Sequence, residues 1–213
     1  VDGLAKDGLM DAYQPVAMGI FADKTATEYN ISRETQDNYA IQSYQRSASS
    51  TASKILLNEI VAVEVPQRKG DPLSITEDEE FKKVIFEKIP KLRAAFTKDG
   101  TVTAANASTI NDGASALVLA SEEAINKHGL TPIAKIVSFA DAANAPEWFT
   151  IAPTKAAKLA AERANISLDD IDYFEVNEAF SVVPLAFSQM LEVPQEKMNV
   201  HGGAVSIGHP LGA

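Results

Sequence analysis

Cysteine is absent from all 213 residues, which excludes disulfides and thiolate-ligated metals within the chain. Histidine is scarce. Only His128, His201 and His209 occur, at spacings unlike those of a zinc site. No stretch approaches the roughly eighteen consecutive apolar residues of a membrane-spanning helix, so no membrane association is expected. Basic residues are outnumbered, 19 against 29 acidic ones, for a net charge of −10. That balance argues against nucleic acid as a partner. No signal peptide or Arg-rich presequence opens the chain. It begins on Val1 rather than methionine, and the expectation is that it starts within a protein.

What is present has globular proportions, 46% hydrophobic and 23% charged, enough for one large domain or two small ones. The charges are unevenly placed. Glu77-Asp78-Glu79-Glu80 is followed by Lys82, Lys83, Lys88, Lys91, Arg93 and Lys98, with only Glu87 against them. Such a run is either a solvated face or a landing site for a phosphorylated ligand, since Lys and Arg pair well with phosphate oxygens.

Helical periodicity predicts a short helix over 22–29 and a longer one over 33–56. The longer helix has Ser32 as N-cap and Ala40/Ile41, Tyr44, Ala48, Ala52 and Ile55 on one face. Alternation over 59–65, ending at Pro66, predicts a strand. Residues 68–98 read as long loops with a short helix. From Thr101 onward strands and helices alternate. Strands are predicted over 114–120, 133–139 and 171–176, and helices over 121–128, 154–165 and 179–191. In the last helix Pro184 is acceptable only in the first turn. This alternation predicts an α/β core.

Three segments carry residues suited to chemistry. Asn177 lies where a strand gives way to a helix, the place α/β folds present ligand groups. Its amide either donates to a ligand oxygen or held water or satisfies loop backbone and caps the helix. His209 lies in the run Gly202-Gly203-Ala204-Val205-Ser206-Ile207-Gly208-His209-Pro210, where small residues let backbone approach a ligand. Its imidazole either takes a proton from a nucleophile and donates to an oxyanion or makes a structural hydrogen bond. His201 and His128 read as bystanders, His128 at a helix C-terminus where positive charge is favoured. Around Thr101–Ser108, hydroxyls and amides on a small-residue surface suit either ligand contact or tight strand packing.

In order along the chain stand Val102-Thr103-Ala104-Ala105-Asn106-Ala107-Ser108 with Asn111-Asp112-Gly113-Ala114, then Asn177-Glu178-Ala179-Phe180, then the glycine-rich run ending His209-Pro210. Together these resemble the thiolase family over the whole chain, most closely its acetyl-CoA C-acetyltransferase branch. The resemblance implies a five-layer α/β/α/β/α core with an inserted loop domain, here incomplete. Residues 1–108 would form most of the loop domain, 109–131 the end of the N-terminal half, and 132–213 most of the C-terminal half.

The implied reaction condenses two acetyl-CoA molecules to acetoacetyl-CoA and free CoA, and runs in reverse as thiolysis. One cysteine carries the acetyl group and a second shuttles the proton. The nucleophile would precede Val1 and the shuttle would follow Ala213, so this chain alone is expected to be inactive. His209 matches the activating histidine and Asn177 the asparagine that holds a catalytic water. Coenzyme A contacts would fall at Tyr44, Lys83, Val84, Ile85, Lys88 and Ser108, which turns the basic run from a solvated face into a phosphate site.

Met18 and Phe149 would line the acyl pocket. Ala17 and Thr150 depart from the family's usual His and Pro beside them, which bears on acyl-chain preference. Potassium, bound by some members, would lie at Tyr44, Ala104, Ala105, Ala107 and Val205, held mainly by carbonyls. No other cofactor is required. The partners implied are acetyl-CoA, acetoacetyl-CoA and further copies of the protein in a homodimer or homotetramer. The Ala17-Met18-Gly19 variant leans toward a cytoplasmic form, with the mitochondrial matrix as alternative. Two other readings are a degradative 3-ketoacyl-CoA thiolase and a CoA-binding module without catalysis. A chain lacking much of one core half is further expected to expose apolar faces.

Overall fold

The computed structural model describes residues 2–212. Its helices follow their local signals closely. Helix α1 spans Met18–Glu28, starting four residues earlier than its expected range. Helix α2 spans Arg33–Ala52, where the Ser32 side chain accepts the Thr35 N–H and Glu34 sits in the first turn, both favourable at a helix start. Helix α3 runs over Glu122–His128 between a Ser121 cap and Gly129 in the left-handed region, as a glycine stop requires. Helix α4 covers Ala152–Ala164 and ends on a left-handed Asn165. Helix α5 covers Val182–Leu191. Pro184 lies in its first turn, where the missing N–H costs nothing. A single turn, α6, spans Ala204–Ile207.

The strands differ from expectation. The segment 59–65 contributes only β1, Val63–Val65, which pairs antiparallel with β2, Leu73–Ile75, in the register Val63↔Ile75. Residues 114–120 and 133–139 form no ladder among the described residues. Segment 171–176 makes only an isolated parallel bridge, Phe174↔Met198. The reason is physical: a strand is defined by its neighbour, and extended backbone gains nothing until its N–H and C=O groups meet another strand. Apolar side chains of 114–120 and 133–139 lie bare as expected, with Val118 at 96% and Ile133 at 103% relative exposure.

The face that α2 buries also differs. Ala48, Ala52 and Ile55 are exposed, whereas Ser43, Tyr44, Ser47 and Ser50 are buried. Small hydroxyl side chains let this helix lie directly against the backbone of residues 202–206. A Cβ at Gly202 would come within 1.9 Å of Ser47 Oγ.

The main core gathers around α5, with Phe174, Val176, Phe180, Val183, Phe187 and Met198 buried together. Two devices join the first hundred residues to it. Buried Asp23 on α1 accepts the N–H groups of Thr101 and Val102 at 2.8 and 2.9 Å and the Thr97 hydroxyl at 2.8 Å. An antiparallel bridge sets Ala107 against Phe180, with Ser108 N–H donating to Ala179 O and Ser181 N–H to Asn106 O. The Thr101–Ser108 segment is thereby placed beside Asn177–Phe180.

Candidate active site

Two pieces of chain bring the candidate groups together. Segment 173–177 runs beside 197–199, with Phe174 N–H donating to Lys197 O and Asn199 N–H to Phe174 O. Buried Asn199 extends the pairing with its side chain. Its Oδ1 accepts Val176 N–H at 2.7 Å and its Nδ2 donates to Val176 O at 2.8 Å. Asn177 follows directly.

From the other side, residues 109–113 wrap the Gly208-His209-Pro210 turn. His209 N–H donates to Thr109 O at 2.9 Å. Gly208 has φ +96°, and a Cβ on it would lie 2.3 Å from the Asn111 side chain. A side chain on Gly113 would strike Pro210.

The outcome is a single contact between the two predicted catalytic residues, Asn177 Nδ2 donating to His209 Nε2 at 3.0 Å. The amide nitrogen only donates, so Nε2 is the acceptor and the proton of the neutral ring lies on Nδ1. Both groups face an open cleft of about 610 Å³ that is also walled by Gly203, Asp78, Asp112 and Glu175. Partial burial raises the carboxyls of Asp78 and Glu175 above their ordinary range. The three acidic side chains on this wall disfavour a phosphate at this end of the cleft.

None of the predicted coenzyme A residues lines that cleft. Ser108 Oγ donates to Ala179 O at 2.9 Å, two residues from Asn177. Tyr44 packs with Ala40, Phe81 and Val205 in a small second core, with Val84 against it, and lies edge-on to Phe86. Burial and nearby Glu80 push its phenol up to about 12. Lys83 and Lys88 are exposed and Ile85 is half-exposed. Lys83 holds Glu80 at 2.8 Å and Lys82 pairs with Glu77, so the acidic block partly neutralises its basic neighbour. Such surface pairs are weak and yield readily to a phosphate.

Met18 opens α1, which packs against the 3₁₀ turn Pro146–Ile151 that carries Phe149. Phe149 itself packs on the main core. Of the proposed potassium positions, Tyr44 and Val205 touch the same small core. The carbonyls of Ala104, Ala105 and Ala107 accept no hydrogen bond among the described residues. Free carbonyls in a tight turn suit a weakly held monovalent cation.

The feature sequence reasoning passed over is Glu178, quoted in its motif without a role. It is wholly buried. It accepts from Tyr39 Oη at 2.8 Å, Asn199 Nδ2 at 2.8 Å, Ser43 Oγ at 2.7 Å and Val205 N at 3.0 Å. Burial and this carboxylate push the Tyr39 phenol far upward, so its O–H stays a donor. A carboxylate directly after the candidate asparagine was a signal, but its partners are scattered through the chain.

Comparison with known proteins identifies the family. Residues 1–123 match the thiolase N-terminal domain and residues 130–213 the thiolase C-terminal domain. The chain belongs to the thiolase family. It is 51% identical over 212 residues to a mitochondrial acetyl-CoA acetyltransferase of Danio rerio, covering 99% of this chain and 50% of that thiolase. It is 47% identical over 213 residues to a probable acetyl-CoA acetyltransferase of Dictyostelium discoideum, covering 100% and 51%.

Among solved structures, a thiolase from Ascaris suum in complex with coenzyme A matches at TM-score 0.95 and 46% identity, over 100% of this chain and 55% of that one. The Bacillus anthracis acetyl-CoA acetyltransferase matches at TM-score 0.94 and 36% identity, over 98% and 53%. The fold is thus the α/β thiolase fold in part, and the chain spans about half the length of the thiolases it matches.

Proposed function

We propose that this chain serves an acetyl-CoA C-acetyltransferase, supplying His209 and Asn177 to the condensation of two acetyl-CoA molecules and to the reverse thiolysis. The observation that carries the reading is the 3.0 Å contact between these two side chains in an open cleft. In the condensation a cysteine thiolate attacks the thioester carbonyl of one acetyl-CoA, releasing CoA and leaving an acetyl-enzyme. The second cysteine of this reading takes an α-proton from the second acetyl-CoA, and the resulting carbanion attacks the acetyl group. The new C–C bond forms as the C–S bond to the enzyme breaks. In the first step Nε2 of His209, once the Asn177 amide releases it, has the chemistry to take the thiol proton. With Asn177 and a held water it has the chemistry to stabilise a thioester oxyanion. The chain has no cysteine, so the thiol groups of this reading come from residues outside these 213.

In this reading the thioester lies in the cleft near Ser108, Met18 and Phe149, and the nucleotide phosphates lie on Lys83 and Lys88 beside Tyr44, Val84 and Ile85. The acidic cleft wall and the basic exposed run favour that direction over its reverse. Potassium is proposed at the free carbonyls of Ala104, Ala105 and Ala107 with Tyr44 and Val205. The proposed division remains a loop domain over 1–108, a connecting piece over 109–131 and a C-terminal half over 132–213. Assembly into a homodimer or homotetramer is proposed with it. The mitochondrial names of relatives such as those of Danio rerio and Homo sapiens favour the matrix over the cytoplasm.

The test is acetoacetyl-CoA thiolysis by these 213 residues alone and by the protein from its full coding sequence. Activity in the full protein alone is the expected result. CoA binding with no turnover in either would favour the binding-module reading, and turnover of only longer 3-ketoacyl-CoAs the degradative one.

A further inference from the structure

We infer that Glu178 is the positioning residue that sets the Asn177–His209 geometry, an assignment whose catalytic part rests on the acetyltransferase reading. Its carboxylate has no cation within salt-bridge distance among the described residues. Each oxygen instead takes two donors, so every acceptor position is filled: Tyr39 and Asn199 on Oε1, Ser43 and the Val205 N–H on Oε2. Burying a carboxylate without a cation is costly, and packing alone asks only for an apolar group of that volume. The four donors come from three places: helix α2, the segment beside Val176, and the start of α6.

The fit is tight as well as polar. A Cβ on Gly203 would lie 2.5 Å from Glu178 Cδ and 2.7 Å from both oxygens. Gly203 N–H in turn donates to Ser43 Oγ at 3.2 Å. Glu178 therefore fastens the segment that delivers Asn177 to the segment that leads into His209, with the serine face of α2 as their common seat. Replacement by glutamine would turn one acceptor oxygen into an NH₂ facing two donors. At Oε2 the Ser43 hydroxyl can turn but the Val205 N–H cannot, so relief of the conflict there moves the 177–180 and 203–209 segments apart, the two segments that the 3.0 Å contact joins.

The experiment compares Glu178→Gln with Ser188→Ala in the protein from its full coding sequence. Ser188 likewise makes a structural hydrogen bond, donating to Val193 O at 2.7 Å, but at the C-terminal end of α5 and outside the cleft. Kinetics of acetoacetyl-CoA thiolysis, thermal denaturation and the NMR resonance of the Asn177 side-chain amide are read for each. The expected result is a kcat loss on the order of a hundredfold in Glu178→Gln, as for a misplacement of about 1 Å. KM for CoA stays within about threefold by the same reasoning, and the Asn177 resonance shifts. Ser188→Ala melts lower with both kcat and the resonance unmoved.

Equal kcat losses in the two variants, or full kcat in Glu178→Gln, would overturn the assignment. Were the unaltered protein inactive, the acetyltransferase reading would fail by itself. The amide resonance alone would then decide, an unmoved signal in Glu178→Gln counting against positioning. Ser43→Ala, which removes one donor and little volume, is the milder variant should Glu178→Gln not fold. It is expected to shift the same resonance by less, and an unmoved signal there also counts against the assignment.

Discussion

Substituting Gly202 by alanine tests how closely α2 is seated on the loop that carries His209. Gly202 has φ +90°, in the region an L side chain rarely occupies, and its new Cβ would meet Ser47 Oγ at 1.9 Å. The hydroxyl can rotate away, but the Cβ would also lie 2.8 Å from Ser47 N and 2.9 Å from Ser43 O. Those atoms belong to the backbone of α2, which cannot move without shifting the helix. Backbone strain of about 1–2 kcal/mol adds to an overpacking cost of about 1–3 kcal/mol, for an expected loss of about 3 kcal/mol. Denaturant titration followed by circular dichroism reads this directly in the protein from its full coding sequence. Ser47→Ala in the same background removes the hydroxyl clash and leaves the two backbone contacts. The double variant should therefore be less than additive, with a coupling of about 1 kcal/mol. A loss under about 1 kcal/mol for Gly202→Ala, or strict additivity, would refute the close seating.

Three further outcomes follow from the same geometry. The native fold holds the Tyr44 proton more tightly than the unfolded chain, its phenol standing at about 12 rather than 10. Stability should then be indifferent to this group below about pH 10 and fall as pH climbs toward 12, by about 2–3 kcal/mol at about 1.4 kcal/mol per unit. Tyr44→Phe should reduce the slope in alkaline denaturation to the part due to Tyr39, whose phenol is also pushed upward. Lys88→Ala should raise the KM for CoA several-fold with kcat preserved and weaken its dependence on ionic strength; an unchanged KM would remove Lys88 from the phosphate site. The 213 residues alone, with Leu117, Val118, Ile133 and Phe139 bare, should self-associate in analytical ultracentrifugation, and a monomer with a cooperative melt would contradict the exposure described.

Helices were legible in the sequence because their signals are local. Ser32, Ser121, Gly129 and Asn165 each act within one turn of the element they begin or end. Strands were legible only as extended tendency. The apolar runs 114–120 and 133–139 carry the right side chains, yet among the described residues no strand pairs with them and no ladder forms. The buried face of α2 was misread for a related reason, since apolar periodicity selected Ala48 and Ala52. The helix turns its serines inward because what it meets is backbone and a carboxylate rather than oil. His209 and Asn177 stood out through their glycine-rich and strand-end settings. Glu178 did not, because its donors are four residues dispersed over the chain and no spacing rule links them.

Tyr39 and Glu178, which share a hydrogen bond, are 139 residues apart, and the remaining carboxylate donors reach to Val205. At about 10 residues per second of synthesis, the serine face of α2 waits on the order of ten seconds for the groups that will cover it. During that interval α2 presents a polar stripe rather than an oily one, so the unfinished chain offers other proteins little to stick to at this place. Completion of the cleft is correspondingly a late event of long loop closure. A ribosome stalled before Gly203 would hold a chain whose Asn177 exists but has no histidine opposite it.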